Sequence, residues 1–239
     1  MCLILFGIDP DERHRLVVAA NRDEQYARPT EQASWWRDAP DVLGGRDLEA
    51  GGTWLGITRT GRFAAVTNFR EDPPDPLPPG SRGELTKNFL TGRMAPEPYL
   101  ESVARNGANY RGFNLLVSDG DSTCYYSNRE GKVRRLAPGF YGLSNQLLDC
   151  DWPKVIRGRK QISKLSGDGF PPSSLFDILF CNGDGKPFSQ SFIATERYGT
   201  SASTVVKIEA DGSAYFEERN FRPMGEADRV HRYAFEVAS

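Results

Sequence analysis

The stretch that decides the fold is residues 1–10, MCLILFGIDP, followed after a polar turn by RLVVAAN at residues 15–21. Two short apolar runs separated by a turn of Asp, Pro and Glu are typical of a β-hairpin. The chain therefore begins with a predicted antiparallel pair of strands. This pairing places Cys2 at the head of the first strand and the polar run 21–24, NRDE, at the end of the second.

Similar patterns predict strands further along the chain. Residues 53–69, TWLGITRTGRFAAVTNF, predict two strands joined around Gly61, which supplies the left-handed residue of a short loop. Apolar runs bounded by Gly, Asp or Asn predict strands within 113–120, 123–128, 132–136, 140–145 and 189–194. Segments 200–208 and 213–219 predict a hairpin, because Gly212 ends the polar link between them.

Four segments have helical patterns. A helix over about 82–91 follows a predicted capping box of Ser81 and Glu84, and residues 96–107 predict a second helix. A third runs over 153–165 and a fourth over 173–180, with Ser174 and Asp177 at capping-box spacing. The glycine-rich stretch 44–52 and the proline-rich stretch 70–80 are predicted loops. Strands and helices in this order predict one α+β domain over residues 1–239, with helices covering antiparallel sheets.

Composition excludes several function classes. The chain has 239 residues, with 30 Lys plus Arg against 32 Asp plus Glu, so the basic surface typical of nucleic-acid binding is not expected. No run approaches the ~20 apolar residues of a membrane-spanning helix. The four cysteines are widely spaced, which favours neither a metal site nor a disulfide scaffold. We expect a cytoplasmic protein with no cofactor, no metal and no nucleic-acid partner.

Cys2 has two interpretations from the residues alone. It is either a small buried residue of the first strand or, once Met1 is removed, a nucleophile with its own base. The reference pKa of an α-amino group is about 7.7 to 8.0 and that of a thiol about 8.5, so a proton passes between them at little cost near neutral pH. A histidine base is then not required, which suits a chain with only His14 and His231.

A set of ordered blocks carries a family resemblance. The blocks are MCLI, AANRDEQYARP, GGRDLEAGGTWLGIT, AAVTNFRE, SRGEL and YGLSNQLLDCDWPKV, and they span nearly the whole chain. Together they resemble the Transport and Golgi organisation family, also named for its Asn-Arg-Asp-Glu signature. That family is similar to the amino-terminal nucleophile hydrolases of the penicillin V acylase and bile salt hydrolase branch. The resemblance implies a four-layer αββα sandwich, in which two stacked antiparallel sheets lie between helical layers.

The resemblance also implies a catalytic site. Cys2 matches the nucleophile, and Asp23 matches the aspartate that contacts the amine of the nucleophile. Asn68 matches an asparagine whose backbone N–H helps to form the oxyanion hole, and Asn145 matches one whose side-chain amide supplies the second donor. The neighbours Asn21, Arg22 and Glu24 complete the signature and are candidate ligand-binding residues. Arg46, Arg70 and Arg82, which flank predicted strand ends, are candidates for binding an acidic ligand group, although solvated surface arginines are common.

Two positions depart from the hydrolase pattern. The branch implies an arginine three residues before the aspartate, where this chain has Ala20, and another near Ser201. Arg22 lies one residue before Asp23, so strand alternation would turn its side chain to the opposite face of the sheet.

Two functions follow from different classes. One is a cysteine amidohydrolase that acts on a non-peptide C–N bond of a small acylated substrate. The other is a non-catalytic carrier or trafficking factor that keeps the fold and binds acyl-CoA, another lipid or haem.

Overall fold

The structure is a computed structural model that describes residues 2–71 and 80–238. The predicted proline loop lies largely outside these residues, as does Met1. The described chain forms two compact units. The first contains residues up to Arg28, Pro138–Ser144 and Leu148–Glu236, and the second contains Pro29–Ala137, Asn145–Leu147 and the residues from Val237.

The first unit contains a six-stranded antiparallel sheet. Its strands are β1 (Leu3–Ile8), β2 (His14–Gln25), β10 (Gly139–Leu143), β11 (Tyr198–Glu209), β12 (Ser213–Phe221) and β13 (Ala227–Glu236). They lie in the order β10-β1-β2-β11-β12-β13, so the predicted hairpin β1–β2 is confirmed, and β2 is one of the two central strands. Helices α3 (Pro153–Lys164) and α4 (Pro172–Leu179) cover one face, because both carry a buried apolar stripe.

Alternation along β1, β2 and β11 supplies the apolar side chains beneath these two helices. Every second residue of each strand faces the helices, so the pairing register of the strands determines which side chains contact α3 and α4. Full burial of one such aliphatic or aromatic side chain contributes about 1.5–3 kcal/mol. The core of this unit includes Leu3, Leu5, Val17, Ala19, Val205, Val155, Ile162, Leu175, Phe176 and Leu179.

The second unit contains a seven-stranded antiparallel sheet in sequential order. Its strands are β3 (Thr30–Trp35), β4 (Val42–Asp47), β5 (Leu55–Thr58), β6 (Phe63–Asn68), β7 (Phe113–Ser118), β8 (Thr123–Ser127) and β9 (Val133–Arg135). Helices α1 (Arg82–Thr91) and α2 (Pro96–Arg105) pack on this sheet. The predicted α+β class with two antiparallel sheets is therefore confirmed. Among the described residues, no helix has the length and apolar character needed to span a membrane.

Both predicted capping boxes are wrong. Within the described parts of the chain, Ser81 makes no side-chain capping hydrogen bond at the start of α1, and Glu84 instead accepts a hydrogen bond from the hydroxyl of Tyr110 at 2.7 Å. Helix α4 begins at Pro172, before Ser174, and it has no side-chain cap either. Packing of Leu85, Phe89 and Leu90 stabilises α1 in place of a cap.

The strand predictions differ from the structure at four places. Strands β3, β4 and β13 were not predicted, and the predicted strand at 189–194 contributes only an isolated bridge between Ala194 and Gly199. The predicted turns are confirmed, since Gly61 and Gly212 both have positive φ, at 76° and 94°. Strand β13 has alternating exposed and half-buried residues and lies at an edge of its sheet, so it lacks a fully apolar face.

Part of the glycine-rich stretch predicted as a loop is strand β4, and Gly52 beyond it has a packing role. A Cβ atom at Gly52 would lie 2.4 Å from the carbonyl carbon of Gly83 in α1. The backbone N–H of Thr53 donates a hydrogen bond to the carbonyl oxygen of Gly83 at 3.2 Å. Two glycines therefore allow this loop and the first turn of α1 to pack backbone against backbone.

We predict that Gly52→Ala lowers the free energy of unfolding by about 1–3 kcal/mol, because the added methyl group meets rigid backbone. Urea denaturation measures the change. Gly167→Ala is the matched control, since nothing lies within 4 Å of its new Cβ. Equal losses in the two variants would contradict the packing role of Gly52.

Candidate active site

Cys2 lies immediately before β1, and its backbone is fixed from two sides. Its carbonyl oxygen accepts hydrogen bonds from the hydroxyl of Ser144 at 2.6 Å and from the ammonium group of Lys154 at 3.3 Å. The sulfur accepts a hydrogen bond from the backbone N–H of Asp23. Burial raises the pKa of the thiol, and the negative charge of Asp23 raises it further, while that N–H and the charge of Arg22 lower it.

Asp23 stands at the end of β2, next to Cys2. Its Oδ1 atom accepts a hydrogen bond of 2.7 Å from the hydroxyl of Thr200, the residue opposite it on β11. The carboxyl group is 6% exposed, and this burial raises its pKa. The Thr200 hydrogen bond and the charge of Lys154 act in the opposite direction. The structure thus brings together two of the four predicted catalytic residues, Cys2 and Asp23.

Asn21 holds three segments of the first unit in place. Its amide donates hydrogen bonds to the carbonyl oxygens of Leu179 at 3.0 Å and Ser191 at 2.8 Å, and its own oxygen accepts one from Ser203 at 2.6 Å. The side chain is fully buried. Because these bonds already occupy the amide nitrogen and oxygen, Asn21 fixes the part of β2 that carries Asp23. A direct contact between Asn21 and a ligand stays a prediction.

Arg22 and Glu24 lie on the other face of β2, as strand alternation predicts. The guanidinium of Arg22 donates a hydrogen bond to the hydroxyl of Ser201 at 3.0 Å and lies 3.7 Å from the carboxylate of Glu24. Ser201 is the extra residue of a β-bulge, since Thr200 pairs with Asp23 and Ala202 already pairs with Arg22. Ala20 and Ser201 therefore add no charge where the hydrolase pattern implies arginines.

Lys154 is the charged residue of this site that the sequence reasoning missed. It is 0% exposed and lies in the first turn of α3, where Pro153 begins the helix. Gly158 and Ile162 follow it at intervals of four residues and are buried on the same face of α3. A lysine in the apolar stripe of a helix was the available sequence signal.

Asn68 and Asn145 contact each other within the second unit. The side-chain amide of Asn145 donates a 2.7 Å hydrogen bond to the carbonyl oxygen of Asn68, and the backbone carbonyl of Asn145 accepts one from the N–H of Arg70 at 2.7 Å. The Oδ1 atom of Asn145 is buried and has no hydrogen-bond partner among the residues that the structure describes. One of the two amide hydrogens of Asn145 is not used by Asn68, which leaves a donor for a ligand oxygen.

The three predicted ligand-binding arginines have different surroundings. Arg46 forms a bidentate ion pair with Asp38, at 2.5 and 2.7 Å, and stacks over Trp36. Arg82 donates to the carbonyl oxygen of Gly112 at 3.3 Å. Arg70 is exposed and is the one of the three whose backbone contacts Asn145. A ligand role for these arginines stays a prediction, and it is weakest for Arg46, whose guanidinium is already matched by Asp38.

The geometry in the first unit suits proton transfer and nucleophilic attack. It places the half-buried Cys2 beside the buried side chains of Asp23 and Lys154. Each of the three has its pKa shifted by burial toward the neutral form, upward for Cys2 and Asp23 and downward for Lys154. Among the described residues, no group of three or more His, Cys, Asp or Glu side chains is arranged to hold a metal ion.

The raised pKa of Asp23 predicts a pH-dependent stability. A carboxyl group with a raised folded-state pKa favours folding at low pH, and this contribution is lost as the pH rises through that pKa. Asp23→Asn removes the titration, so we expect its stability relative to the unsubstituted protein to increase from about pH 4 to about pH 7. Urea denaturation at both values measures this difference.

Asp211→Asn is the control of opposite sign. The backbone N–H of Ser213 lowers the pKa of Asp211, so its carboxylate favours folding above the usual range for aspartate. The relative stability of Asp211→Asn should therefore decrease over the same pH interval. If both variants changed in the same direction, the assignment for Asp23 would be wrong.

Comparison with solved structures identifies the fold. The chain is similar to two variant structures of conjugated bile acid hydrolase from Clostridium perfringens, each with a TM-score of 0.51. The identities are 10% and 9%, the matches cover 99% of this chain, and they cover 92% and 98% of those chains. The predicted amino-terminal-nucleophile-hydrolase-like fold is thereby confirmed.

Comparison at the sequence level identifies the family. The profile of the family "Transport and Golgi organisation 2" matches residues 1–223. The Transport and Golgi organization 2 homologues of Mus musculus and Homo sapiens are 35% and 36% identical to this chain, over 92% of this chain and 93% of theirs. The Drosophila melanogaster protein is 26% identical over 97% of both chains. The chain therefore belongs to the Transport and Golgi organisation 2 family.

Proposed function

We propose that this protein is a cysteine amidohydrolase that cleaves a non-peptide C–N bond in a small acylated substrate. The observation that carries the proposal is the cluster around Cys2, in which the thiol contacts the backbone of Asp23 and the ammonium group of Lys154 donates a hydrogen bond to the Cys2 carbonyl oxygen. A likeness in fold to conjugated bile acid hydrolase agrees with this reaction class.

The raised pKa of the thiol sets a requirement for the mechanism. A thiol that keeps its proton at neutral pH needs a base that accepts the proton during attack. After removal of Met1, the α-amino group of Cys2 is that base. The sulfur attacks the carbonyl carbon, the amine takes the thiol proton, and the carbonyl oxygen becomes an oxyanion. The C–N bond then breaks, and the leaving amine takes the proton from the protonated α-amino group of Cys2. Water hydrolyses the resulting thioester.

Asp23 has two roles in this scheme. Its carboxyl group stabilises the protonated amine, and its backbone N–H holds the sulfur in place. The hydrogen bond from Thr200 fixes the orientation of the carboxyl group.

A second candidate function is a non-catalytic carrier for acyl-CoA, another lipid or haem. The observation that favours it is the raised pKa of Cys2, because a protonated thiol is a weak nucleophile. The names of the relatives, which refer to transport and Golgi organisation, agree with this alternative. A ligand that co-purifies in stoichiometric amount, with Met1 retained in the intact mass, would support the carrier over the enzyme.

We predict that Cys2→Ala lowers amide hydrolysis by about a thousandfold or more, because the substitution removes the proposed nucleophile. The assay follows amine release from a series of N-acyl p-nitroanilines of increasing acyl length, with peptide mass spectrometry of the acylated cysteine. Cys181→Ser is the matched control and keeps full activity, since Cys181 is a half-exposed free thiol outside this cluster. Acylation at another cysteine, or equal turnover in both variants, would refute the enzyme.

A separate prediction concerns the oxyanion. If Asn145 is a donor to it, Asn145→Ala lowers kcat by about a hundredfold to a thousandfold, because a preorganised amide donor is lost. Asn88→Ala, at an exposed position on α1, is the control. Urea denaturation shows whether loss of the Asn145 hydrogen bond to Asn68 also weakens folding. An unchanged kcat in Asn145→Ala would remove Asn145 from the proposed site.

A further inference from the structure

We propose that Lys154 supplies the positive charge that stabilises the thiolate of Cys2 as it forms, and so acts as a positioning residue of the proposed reaction. The inference rests on that function, since it assigns a role to Lys154 only if Cys2 is the nucleophile.

The position of Lys154 is the first support. Its side chain is 0% exposed, and its Nζ atom lies 3.3 Å from the carbonyl oxygen of Cys2. Within the described part of the chain, this carbonyl is the only hydrogen-bond acceptor of the ammonium group, and no carboxylate lies within ion-pair distance of it. The ring of Trp152, whose centroid lies 5.9 Å from Nζ, adds only a weak cation–π contact, so burying this ammonium group is costly unless its charge has another use.

The charges around Lys154 are the second support. Burial lowers its pKa, while the charges of Asp23 and Cys2, and to a smaller extent that of Cys150, raise it. The groups that act on this lysine therefore include both members of the proposed catalytic pair. Because the interaction between two charges is mutual, a cationic Lys154 favours the thiolate form of Cys2.

The other cation that acts on Cys2 is less able to fill this role. The charge of Arg22 lowers the pKa of the thiol. Its guanidinium is shared between Ser201 and the carboxylate of Glu24. Among the described residues, the ammonium group of Lys154 has no such carboxylate partner, and it contacts Cys2 itself through the carbonyl oxygen.

The location of Lys154 also explains how the carboxyl group of Asp23 is kept near the thiol. A buried carboxylate beside Cys2 opposes formation of a thiolate, as its effect on the pKa of Cys2 shows. Lys154 offsets that effect, because its charge acts on both groups and lowers the pKa of Asp23. The ammonium group therefore allows two potential anions to be neighbours at different stages of the reaction.

The test is the pH profile of Cys2 alkylation by iodoacetamide, read by peptide mass spectrometry. Lys154→Met removes the charge, and Lys154→Gln also keeps a donor for the Cys2 carbonyl. We expect both variants to shift the midpoint of the profile upward by about one pH unit, which lowers the rate about tenfold near pH 7.5. Lys154→Arg keeps the charge and should remain within about threefold of the original rate. Lys160→Met, on the exposed face of α3, should leave the midpoint unchanged.

Asp23→Asn separates an electrostatic effect from a loosened fold. It removes a charge that raises the pKa of Cys2, so its midpoint should shift downward, opposite to Lys154→Met. A general loss of packing would shift both variants in the same direction. An unchanged or lowered midpoint in both Lys154→Met and Lys154→Gln would overturn the role of Lys154.

Turnover distinguishes this inference from the proposed function. If the midpoint shifts as expected but the unsubstituted protein hydrolyses none of the N-acyl p-nitroanilines and forms no thioester, Lys154 controls the thiol and the amidohydrolase proposal fails. If hydrolysis depends on Cys2 but the midpoint is insensitive to Lys154, the enzyme stands and the role of Lys154 is refuted.

Discussion

The constraint on which the site depends is the removal of two charged groups, Asp23 and Lys154, from water beside the half-buried thiol of Cys2. Cys2, Asp23 and Lys154 come from two strand ends and one helix, and their burial shifts each pKa toward the uncharged form. An isolated charge would cost several kcal/mol at such a place, so the groups are stable there only with compensating neighbours. The hydroxyl of Thr200, the backbone N–H of Asp23 and the Cys2 carbonyl provide that compensation.

The register of the central strands positions these groups. Leu3 pairs with Asn21 across β1 and β2, so the residue before β1 lies beside the polar end of β2. On the next strand, Thr200 lies opposite Asp23 and Ser203 lies opposite Asn21. The apolar side chains beneath α3 and α4 fix this register, because a slip of one residue would turn them away from the helices. The same strand register thus determines both the packing of the core and the geometry of the site.

Sequence reasoning found the parts of the site that are local in the chain. Cys2 and residues 21–24 stand at the ends of strongly apolar strands, so their positions followed from the predicted hairpin, and the family blocks added Asn68 and Asn145. Lys154 was missed because lysine in a helix is commonly solvated, and only its spacing to Gly158 and Ile162 indicates burial. Strands β3 and β13 lack strong apolar alternation, and β4 is interrupted by glycines. The capping-box predictions were wrong because Glu84 is hydrogen-bonded to Tyr110 and because α4 begins at Pro172, before Ser174.

The bulge at Ser201 determines which residues of β11 reach the polar end of β2. Asp23 and Asn21 are two residues apart and face the same side, whereas their partners Thr200 and Ser203 are three residues apart. An uninterrupted strand would turn residues at an odd separation to opposite sides. The bulge takes up the additional residue, Ser201, so that both hydroxyls lie on one face despite their odd separation. One further residue inserted between Thr200 and Ser203 without a second bulge would turn one of these two hydroxyls to the opposite face, even if every other residue were retained.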